Sequence, residues 1–417
     1  MAQPHLLNLP PWLLALLRPQ TYPHPTQKIE LRQTQMSFVL LTGDYAYKIK
    51  KAVDLGYLDY TTLEKRRFFC RQEVKLNRRL CRGVYLGVVP IRSYRNRVTL
   101  GKKGKILEYA VKMRQLDDGE NLDQLLAQDQ VTPAMMSRLA RKMARFHARA
   151  ATSPDISRFG DLATIQQNWE ENFSQTKGSV GRTLSQETYQ AIQDYVGGFM
   201  HQQAALFQER IHQSRIRDCH GDLHAAHVNF AGPIYVYDCI EFNDRFRYGD
   251  VASEIAFLAM DLDFHHRPDL SRALVNSYVA ITGDTGLAPL LPFYLCYRAY
   301  VRGKVDGFKL DDPLIPTTEK TEALARARRY FKLAQSYFTQ PEKPQLIITT
   351  GLVATGKTVL AQALARRLGA TLISSDPLRK ELAGIPHQEH RFEEFGRGIY
   401  SRQFTQKTYQ EMLHRAR

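Results

Sequence analysis

Two acidic residues, Asp222 and Asp238, lie at either end of one short stretch, and their placement limits what this chain can fold into. Asp222 directly follows His220-Gly221, and Asp238 comes sixteen residues later, at the end of an apolar run. Residues 228–238 read as two short strands joined by a Gly232-Pro233 turn. Such a hairpin brings both carboxylates to one side, where one can meet a substrate hydroxyl and the other can hold a metal ion.

The triplet His220-Gly221-Asp222, taken with Asp238, resembles the catalytic sequence of aminoglycoside phosphotransferases, a branch of the kinase-like fold. The resemblance covers about residues 25 to 335. It implies an α+β protein-kinase-like domain with two lobes. It also implies that Asp222 is the catalytic residue, which orients and deprotonates an acceptor hydroxyl, and that Asp238 binds Mg²⁺.

The chain departs from that family pattern at His227. The pattern places an asparagine five residues after the catalytic aspartate, as a ligand of the second metal, whereas here the nearest asparagine is Asn229. Imidazole is a softer ligand than an amide oxygen and suits Mg²⁺ less well. His227 and Asn229 are therefore both predicted as weak metal ligands.

Three antiparallel strands are predicted at residues 28–32, 38–41 and 45–50, at the start of a kinase small lobe. Lys48 and Lys50 share one face of the third strand, because side chains alternate. Lys48 is the preferred ligand of nucleotide phosphates, since its strand best resembles the Val-Ala-Ile-Lys strand of kinases. The alternative is a pair of solvent-facing lysines.

A long helix is predicted from the capping box Thr61-Thr62-Leu63-Glu64 to about Leu80. Glu73 lies within its apolar stripe, and a carboxylate there needs a partner. Kinases pair such a glutamate with the strand lysine, so the resemblance implies a Lys48–Glu73 ion pair. An exposed salt bridge elsewhere is the alternative.

A second nucleotide motif begins after a predicted strand at residues 345–350. Residues 351–358 fit the Walker A pattern, and a helix is expected at residues 359–368. The loop backbone around Gly351 and Gly356 is predicted to cradle phosphates, with Lys357 neutralising them and Thr358 binding Mg²⁺.

Residues 371–376 look like a second strand ending in an acid, which resembles small-molecule P-loop kinases and implies an acceptor contact for Asp376. No later apolar strand ends in a Walker B aspartate, so we expect a partial, truncated α/β P-loop NTPase domain. The order of domains resembles bacterial fusions of an aminoglycoside phosphotransferase with an AAA-family ATPase. Four segments carry this closer match: residues 38–44, 54–59, 63–67 and 238–244.

The length of 417 residues suggests two or three domains. The predicted divisions are an N-terminal helical segment at 1–24, a small lobe at 25–117, a helical large lobe at 118–338, a linker at 339–344 and the partial P-loop domain at 345–417. The apolar start is too short to span a membrane and is a poor signal peptide. Five cysteines without a CxxC spacing favour reduced thiols in the cytoplasm.

The leading hypothesis is an ATP-dependent phosphotransferase that uses Mg²⁺ and acts on the hydroxyl of an unidentified small molecule. A second is a non-catalytic pseudokinase that regulates the P-loop domain, which the substitution at His227 favours. A third, nucleic-acid binding, is suggested only by the net charge of +16. The basic residues are spread through helical stretches and read mainly as solvated faces.

Overall fold

The computed structural model describes residues 9–416 except 96, 314, 340–345, 353–354, 369 and 387–396. The chain forms two compact units, Met1–His265 with Leu270–Thr339 and His266–Asp269 with Gln340–Arg417. The linker predicted at 339–344 lies outside the described residues, apart from Thr339.

The first unit begins with a six-stranded antiparallel sheet in the order β1-β2-β3-β6-β4-β5. Its strands are β1 Glu30–Gln33, β2 Ser37–Leu41, β3 Tyr45–Lys50, β4 Tyr85–Tyr94, β5 Arg97–Thr99 and β6 Lys105–Arg114. The three antiparallel strands predicted at the start of the small lobe are confirmed.

Alternation of side chains gives this sheet two packed faces. On one face, Leu40 and Ile49 pack with Leu13 and Leu16 of helix α1, Pro11–Leu16. On the other face, strands β4 and β6 pack with Cys70 and Val74 of helix α2. The sheet is therefore held between two helices, which fixes the position of β3 and its lysines.

Helix α2 spans Leu63–Asn77 and ends three residues before the predicted end at Leu80. Thr62 caps it, because the Thr62 hydroxyl accepts a hydrogen bond from the Lys65 N–H. The capping box predicted to start at Thr61 is wrong by one residue, since the Thr61 hydroxyl is bound to Asp59 at 2.6 Å.

The rest of the first unit is mainly helical, as the two-lobed kinase-like class requires. Its helices are α3 Leu122–Ala127, α4 Pro133–Arg149, α5 Pro154–Ser157, α6 Leu162–Thr176, α7 Gln186–Gln202, α8 Ala204–His212, α9 Asp244–Arg247, α10 Val251–Phe264, α11 Pro268–Thr282, α12 Leu287–Phe308 and α13 Thr317–Ser336. Helix α10 is buried along almost its whole length and forms the centre of the largest apolar core. Asp250 caps α10, because its carboxylate accepts a hydrogen bond from the Ala252 N–H at 2.8 Å.

Two short antiparallel pairs stand between the helices. They are β7 Ile216–Asp218 with β10 Tyr248–Asp250, and β8 Val228–Asn229 with β9 Tyr235–Val236. The second pair is the predicted hairpin, with Gly232 at φ 79° in its turn.

In the second unit, the structure describes helices α14 Lys357–Leu368, α15 Ser375–Leu382 and α16 Arg402–Ala416. Both strands predicted here are wrong for the residues described, because 346–350 and 371–374 are irregular. A buried strand of an α/β sheet needs neighbours for its backbone groups, and the described part of this unit offers no paired strand. Leu346 and Ile348 are accordingly 65% and 75% exposed.

Among the described residues, no helix has both the length and the apolar character that crossing a bilayer demands.

Candidate active site

The β8–β9 hairpin brings the two predicted acids to one place. Val228 pairs with Val236, and beyond this pair the Tyr237 N–H donates to the His227 carbonyl at 3.0 Å. His227 at the start of the hairpin and Asp238 at its end are therefore neighbours, although they are eleven positions apart in the sequence.

The imidazole of His227 lies between the two carboxylates. Its Nδ1 is 3.4 Å from Asp222 Oδ2, and its Nε2 is 3.7 Å from Asp238 Oδ2. Nδ1 also lies 3.0 Å from the Asp222 carbonyl, which accepts its proton. The lone pair then resides on Nε2 and is available on the side of Asp238.

Asp238 has a left-handed backbone, with φ at 62°. Such a conformation is uncommon for a residue with a side chain, and it is found at functional sites where the surroundings impose it. Here the Asp238 N–H donates to the Tyr85 hydroxyl at 3.2 Å, and the carboxylate accepts from Lys48.

The two lysines of β3 have different surroundings. Lys48 Nζ contacts Asp238 Oδ1 and lies 3.1 Å from Glu73 Oε1, so the predicted Lys48–Glu73 ion pair is present. Lys50 Nζ lies 2.8 Å from the other oxygen of Glu73 and contacts Glu241. Lys48 thus reaches the acids of the site, while Lys50 is enclosed behind them.

Glu241 was not predicted as part of this network. It accepts a hydrogen bond from the Tyr60 hydroxyl at 2.6 Å and contacts the ammonium of Lys50. Its spacing of three residues after Asp238 is the sequence signal that points to it.

These contacts keep the groups charged. Burial disfavours the ammonium of Lys48, but Asp238, Glu73 and Glu241 hold its pKa well above the usual value. Burial alone would raise the pKa of Asp238, but the charge of Lys48 and its hydrogen bond hold that pKa well below the usual value. At neutral pH the site therefore presents an ionised carboxylate beside a protonated lysine.

Glu254 of α10 fixes the loop that carries Asp222. Its Oε1 accepts from the N–H groups of His220 and Gly221 at 2.8 and 2.7 Å, and its Oε2 is 2.8 Å from His147 Nε2. Burial raises the pKa of a carboxyl, but the bond to His147 and these amides lower the pKa of Glu254 to about 2. His147 is buried in the core, behind the loop.

Gly221 and His220 allow the tight path of this loop. Gly221 has φ 86°, and a Cβ there would lie 2.7 Å from the Phe246 carbonyl oxygen, so no larger residue fits. His220 Nε2 donates to the Tyr237 carbonyl at 2.9 Å, and Nδ1 accepts from the Asp222 N–H at 3.3 Å. Burial lowers the pKa of His220 to about 4, so the ring is neutral and aims Asp222 toward the hairpin.

Asn229 does not join the site, and its prediction as a metal ligand is corrected. The Asn229 amide donates to the Asp117 carbonyl at 2.8 Å and to Asn121 Oδ1 at 2.9 Å. Its oxygen accepts from the Ala231 N–H at 3.0 Å. The side chain is fully buried in this network and ties the hairpin to residues 117–121.

The residues predicted to bind phosphate in the second unit lie before α14 and at its start, and phosphate binding there stays a prediction. Gly351 and Gly356 have φ of 151° and 80°, and Lys357 begins α14 with its Nζ donating to the Leu352 carbonyl. Thr358 is exposed in the first turn. Residues 353–354 of the motif lie outside the described residues.

Asp376 lies in the first turn of α15 rather than at a strand end. Its carboxylate is 3.5 Å from Lys380 Nζ and accepts from the Tyr400 hydroxyl at 3.4 Å. The acid is exposed, so its role as an acceptor contact stays a prediction.

Comparison with known proteins gives two family matches. Residues 89–291 match the phosphotransferase enzyme family, and residues 346–417 match an AAA domain. An uncharacterized protein of Mycobacterium tuberculosis is 33% identical over 392 residues, which cover 93% of this chain and 75% of that protein. An uncharacterized protein of Mycobacterium bovis matches to the same extent.

Two solved structures are similar at low identity. A choline/ethanolamine kinase family protein from Mesorhizobium loti is 12% identical with a TM-score of 0.45, covering 80% of this chain and 96% of that one. The Plasmodium vivax ethanolamine kinase is 10% identical with a TM-score of 0.42, covering 73% and 81%. No substrate follows from likenesses this distant. The chain belongs to the family of these mycobacterial proteins, and it joins a kinase-like domain of the phosphotransferase enzyme family to an AAA domain.

Proposed function

We propose that the first unit is an ATP-dependent phosphotransferase that transfers the γ-phosphate to a hydroxyl of a small molecule. The observation that carries this is the meeting of Lys48, Glu73, Asp222, His227 and Asp238 in one cluster. We place its small lobe at residues 25–117 and its large lobe at 118–338.

Asp222 is the proposed general base. Its carboxylate accepts the proton of the acceptor hydroxyl while the new O–P bond forms and the bond from the γ-phosphorus to the ADP oxygen breaks. The amides of His220 and Gly221, held by Glu254, fix the loop that positions this carboxylate. Such positioning supplies much of the rate in phosphoryl transfer, since the protein takes no covalent part.

The residues present fit a divalent cation beside the nucleotide. Mg²⁺ is commonly held by one or two carboxylates together with substrate phosphates, and Asp238 offers an ionised carboxylate with one oxygen not bound by Lys48. Nε2 of His227 is the second proposed ligand. When bound, the cation neutralises charge that develops on the phosphate oxygens.

Lys48 is the proposed ligand of the nucleotide phosphates, and Glu73 sets its position. The ammonium already lies between Glu73 and Asp238, so only a small movement brings it to a phosphate beside the cation. The proposed role of Lys50 is structural, because its ammonium neutralises the buried carboxylates of Glu73 and Glu241.

In the second unit, we propose that the backbone near Gly351 and Gly356, together with Lys357 and Thr358, binds the phosphates and Mg²⁺ of a second nucleotide. The glycine conformations and the start of α14 at Lys357 support this proposal. Asp376 is the proposed acceptor contact of this unit.

A second candidate for the first unit is a pseudokinase that senses nucleotide without turnover. Two observations favour it: Lys48 donates to the carboxylate that would hold the metal, and an imidazole replaces the expected amide at His227. Nucleotide binding is common to both candidates, whereas transfer to a hydroxyl distinguishes them.

The test uses the full chain with Lys357→Ala, which removes the phosphate-binding lysine of the second unit. Calorimetry with ATP and Mg²⁺ is expected to show binding, and Asp238→Ala in the same background is expected to abolish it. Asp222→Asn should keep binding but lose transfer to the hydroxyl compound that is phosphorylated in an acceptor screen, by about 10²–10⁴-fold.

Retained transfer in Asp222→Asn would contradict the assignment of the base. Binding that no acceptor converts into transfer would favour the pseudokinase. Failure of the Lys357→Ala protein to bind ATP would contradict both candidates.

A further inference from the structure

A groove with a volume of ≈ 1240 Å³ lies between α2 and α4 in the first unit. Six cationic side chains line it and share the lack of a carboxylate partner: Lys75, Arg138, Arg141, Lys142, Arg145 and Arg149. We call this feature the basic groove. Within the part of the chain that the structure describes, these six make no ion pair and no side-chain hydrogen bond.

The acids at the edge of the basic groove are already bound, so they do not neutralise the six cations. Asp218 is held by Arg79 at 2.9 Å and by Arg247 at 2.8 Å. Asp244 lies against the same Arg247, and Glu241 against Lys50. The remaining positive charge therefore faces the open groove.

Five of these cations lie on α4, where their mutual repulsion destabilises the helix unless an anion binds. Arg138, Arg141, Lys142, Arg145 and Arg149 recur at spacings of three and four residues, so they lie along one side of the helix. Like charges at these spacings repel one another and destabilise the helix. The row is about 16 Å long, which spans several phosphates of a nucleic-acid strand.

Aromatic side chains stand beside the charges. Phe68 is 54% exposed at the groove, and its ring meets Phe69 edge-on, with centroids 5.1 Å apart. Phe242 lines the same opening. Grooves that bind single-stranded nucleic acids combine a basic track with aromatic rings on which bases stack.

We propose that the basic groove binds single-stranded nucleic acid, with phosphates along α4 and a base stacked on Phe68. This is a binding activity separate from phosphate transfer at Asp222. An inorganic polyphosphate chain would use the same cations but has no base for the phenyl ring, so the aromatic cluster favours the nucleic acid.

The test measures fluorescence anisotropy of a labelled single-stranded RNA of about 12 nucleotides, within the site sizes of known single-strand grooves. The full chain is compared with Arg141→Ala/Arg145→Ala, whose side chains are exposed and should not affect folding. The matched control is Lys102→Ala/Lys103→Ala, which removes the same charge from an exposed turn.

The groove variant is expected to bind at least tenfold more weakly than the control. The slope of log affinity against log salt should fall by about 1.4 for two lost phosphate contacts. Phe68→Ala should weaken RNA binding, and excess ATP with Mg²⁺ should not displace the RNA.

Equal binding by the groove variant and the control overturns the proposal, because the affinity would then reflect net charge alone. Displacement by ATP overturns it as well, since the RNA would occupy a nucleotide site. A polyphosphate chain that competes as strongly as RNA, with no effect of Phe68→Ala, overturns the nucleic-acid assignment and leaves polyphosphate as the ligand.

Discussion

The two predicted nucleotide-binding motifs of this chain have very different surroundings. In the first unit, Lys48 comes from a strand paired on both sides, and its ammonium is held by two carboxylates from distant parts of the chain. In the second unit, Lys357 comes after residues 346–352, which form no regular secondary structure, and among the described residues its ammonium bonds only to the nearby Leu352 carbonyl. A motif therefore specifies chemistry, but tertiary contacts decide how firmly that chemistry is positioned.

The largest expected difference within the first unit concerns its two lysines. Lys50→Met should lower the free energy of unfolding by about 3–5 kcal/mol, because it leaves the buried carboxylates of Glu73 and Glu241 with less compensation. Lys48→Met should cost less stability but abolish ATP binding in the Lys357→Ala background. Urea unfolding followed by tryptophan fluorescence reports on this unit alone, since both tryptophans, Trp12 and Trp169, lie in it.

If Lys48→Met and Lys50→Met were equally destabilising, the division into a nucleotide lysine and a supporting lysine would be wrong. Lys112→Met, another lysine of the sheet, is the matched control, since it contacts the Tyr45 ring and no carboxylate of this cluster.

A smaller effect is expected for Glu254, the acid that fixes the loop of Asp222. Glu254→Gln should lower the free energy of unfolding by about 1–3 kcal/mol at neutral pH, because two amides and His147 lose a charged acceptor. The pKa of Glu254 is lowered to about 2 in the folded state, so its stabilising effect is complete above pH of about 4.5 and is lost as the pH falls toward 2. A difference in free energy of unfolding between the unchanged protein and Glu254→Gln that stays constant from pH 5 to about 3 would contradict this role.

A comparable test in the second unit uses Arg379, which donates to the Ile399 carbonyl at 2.7 Å and to Thr405 Oγ1 at 2.9 Å. Arg379→Ala should cost about 1–3 kcal/mol locally, because a buried carbonyl loses its donor. Hydrogen exchange should show faster exchange at residues 402–408 and no change at residues 45–50. Arg366→Ala, on an exposed stretch of α14, serves as the control.

The smallest effect is expected at His227. His227→Asn replaces the imidazole with an amide oxygen, which is the harder ligand, so Mg²⁺-dependent ATP binding should tighten by a few-fold. Calorimetry of ATP binding in the Lys357→Ala background, with Mg²⁺ and again with Mn²⁺, measures which metal each protein prefers. Weaker binding with both metals would instead show that the bond from His227 to the Asp222 carbonyl is needed to shape the loop.

Much of the site follows from residue types and spacing. The Asp222–Asp238 hairpin, the β3 lysine and the helical glutamate all carry strong local signals, and the structure brings them together. The prediction that Asn229 is a metal ligand was wrong, because distance along the sequence from Asp222 does not reveal the direction of a side chain. The Asn229 amide instead donates to Asn121 and joins the hairpin to it. Glu241 and Glu254 were missed as site residues because their partners lie far away along the chain.

The sequence by itself determined two local elements of this protein, the β8–β9 hairpin and the run of strands β1, β2 and β3, because each pairs strands that follow one another along the chain. Tertiary structure alone decided the rest. It gave Lys48 and Lys50 different surroundings. Lys48 contacts one oxygen of Glu73 and Asp238, whereas Lys50 contacts the other oxygen of Glu73 and Glu241. Tertiary structure also left residues 346–350 without strand structure. A strand is stabilised by hydrogen bonds to a neighbouring strand, and no described strand pairs with these residues.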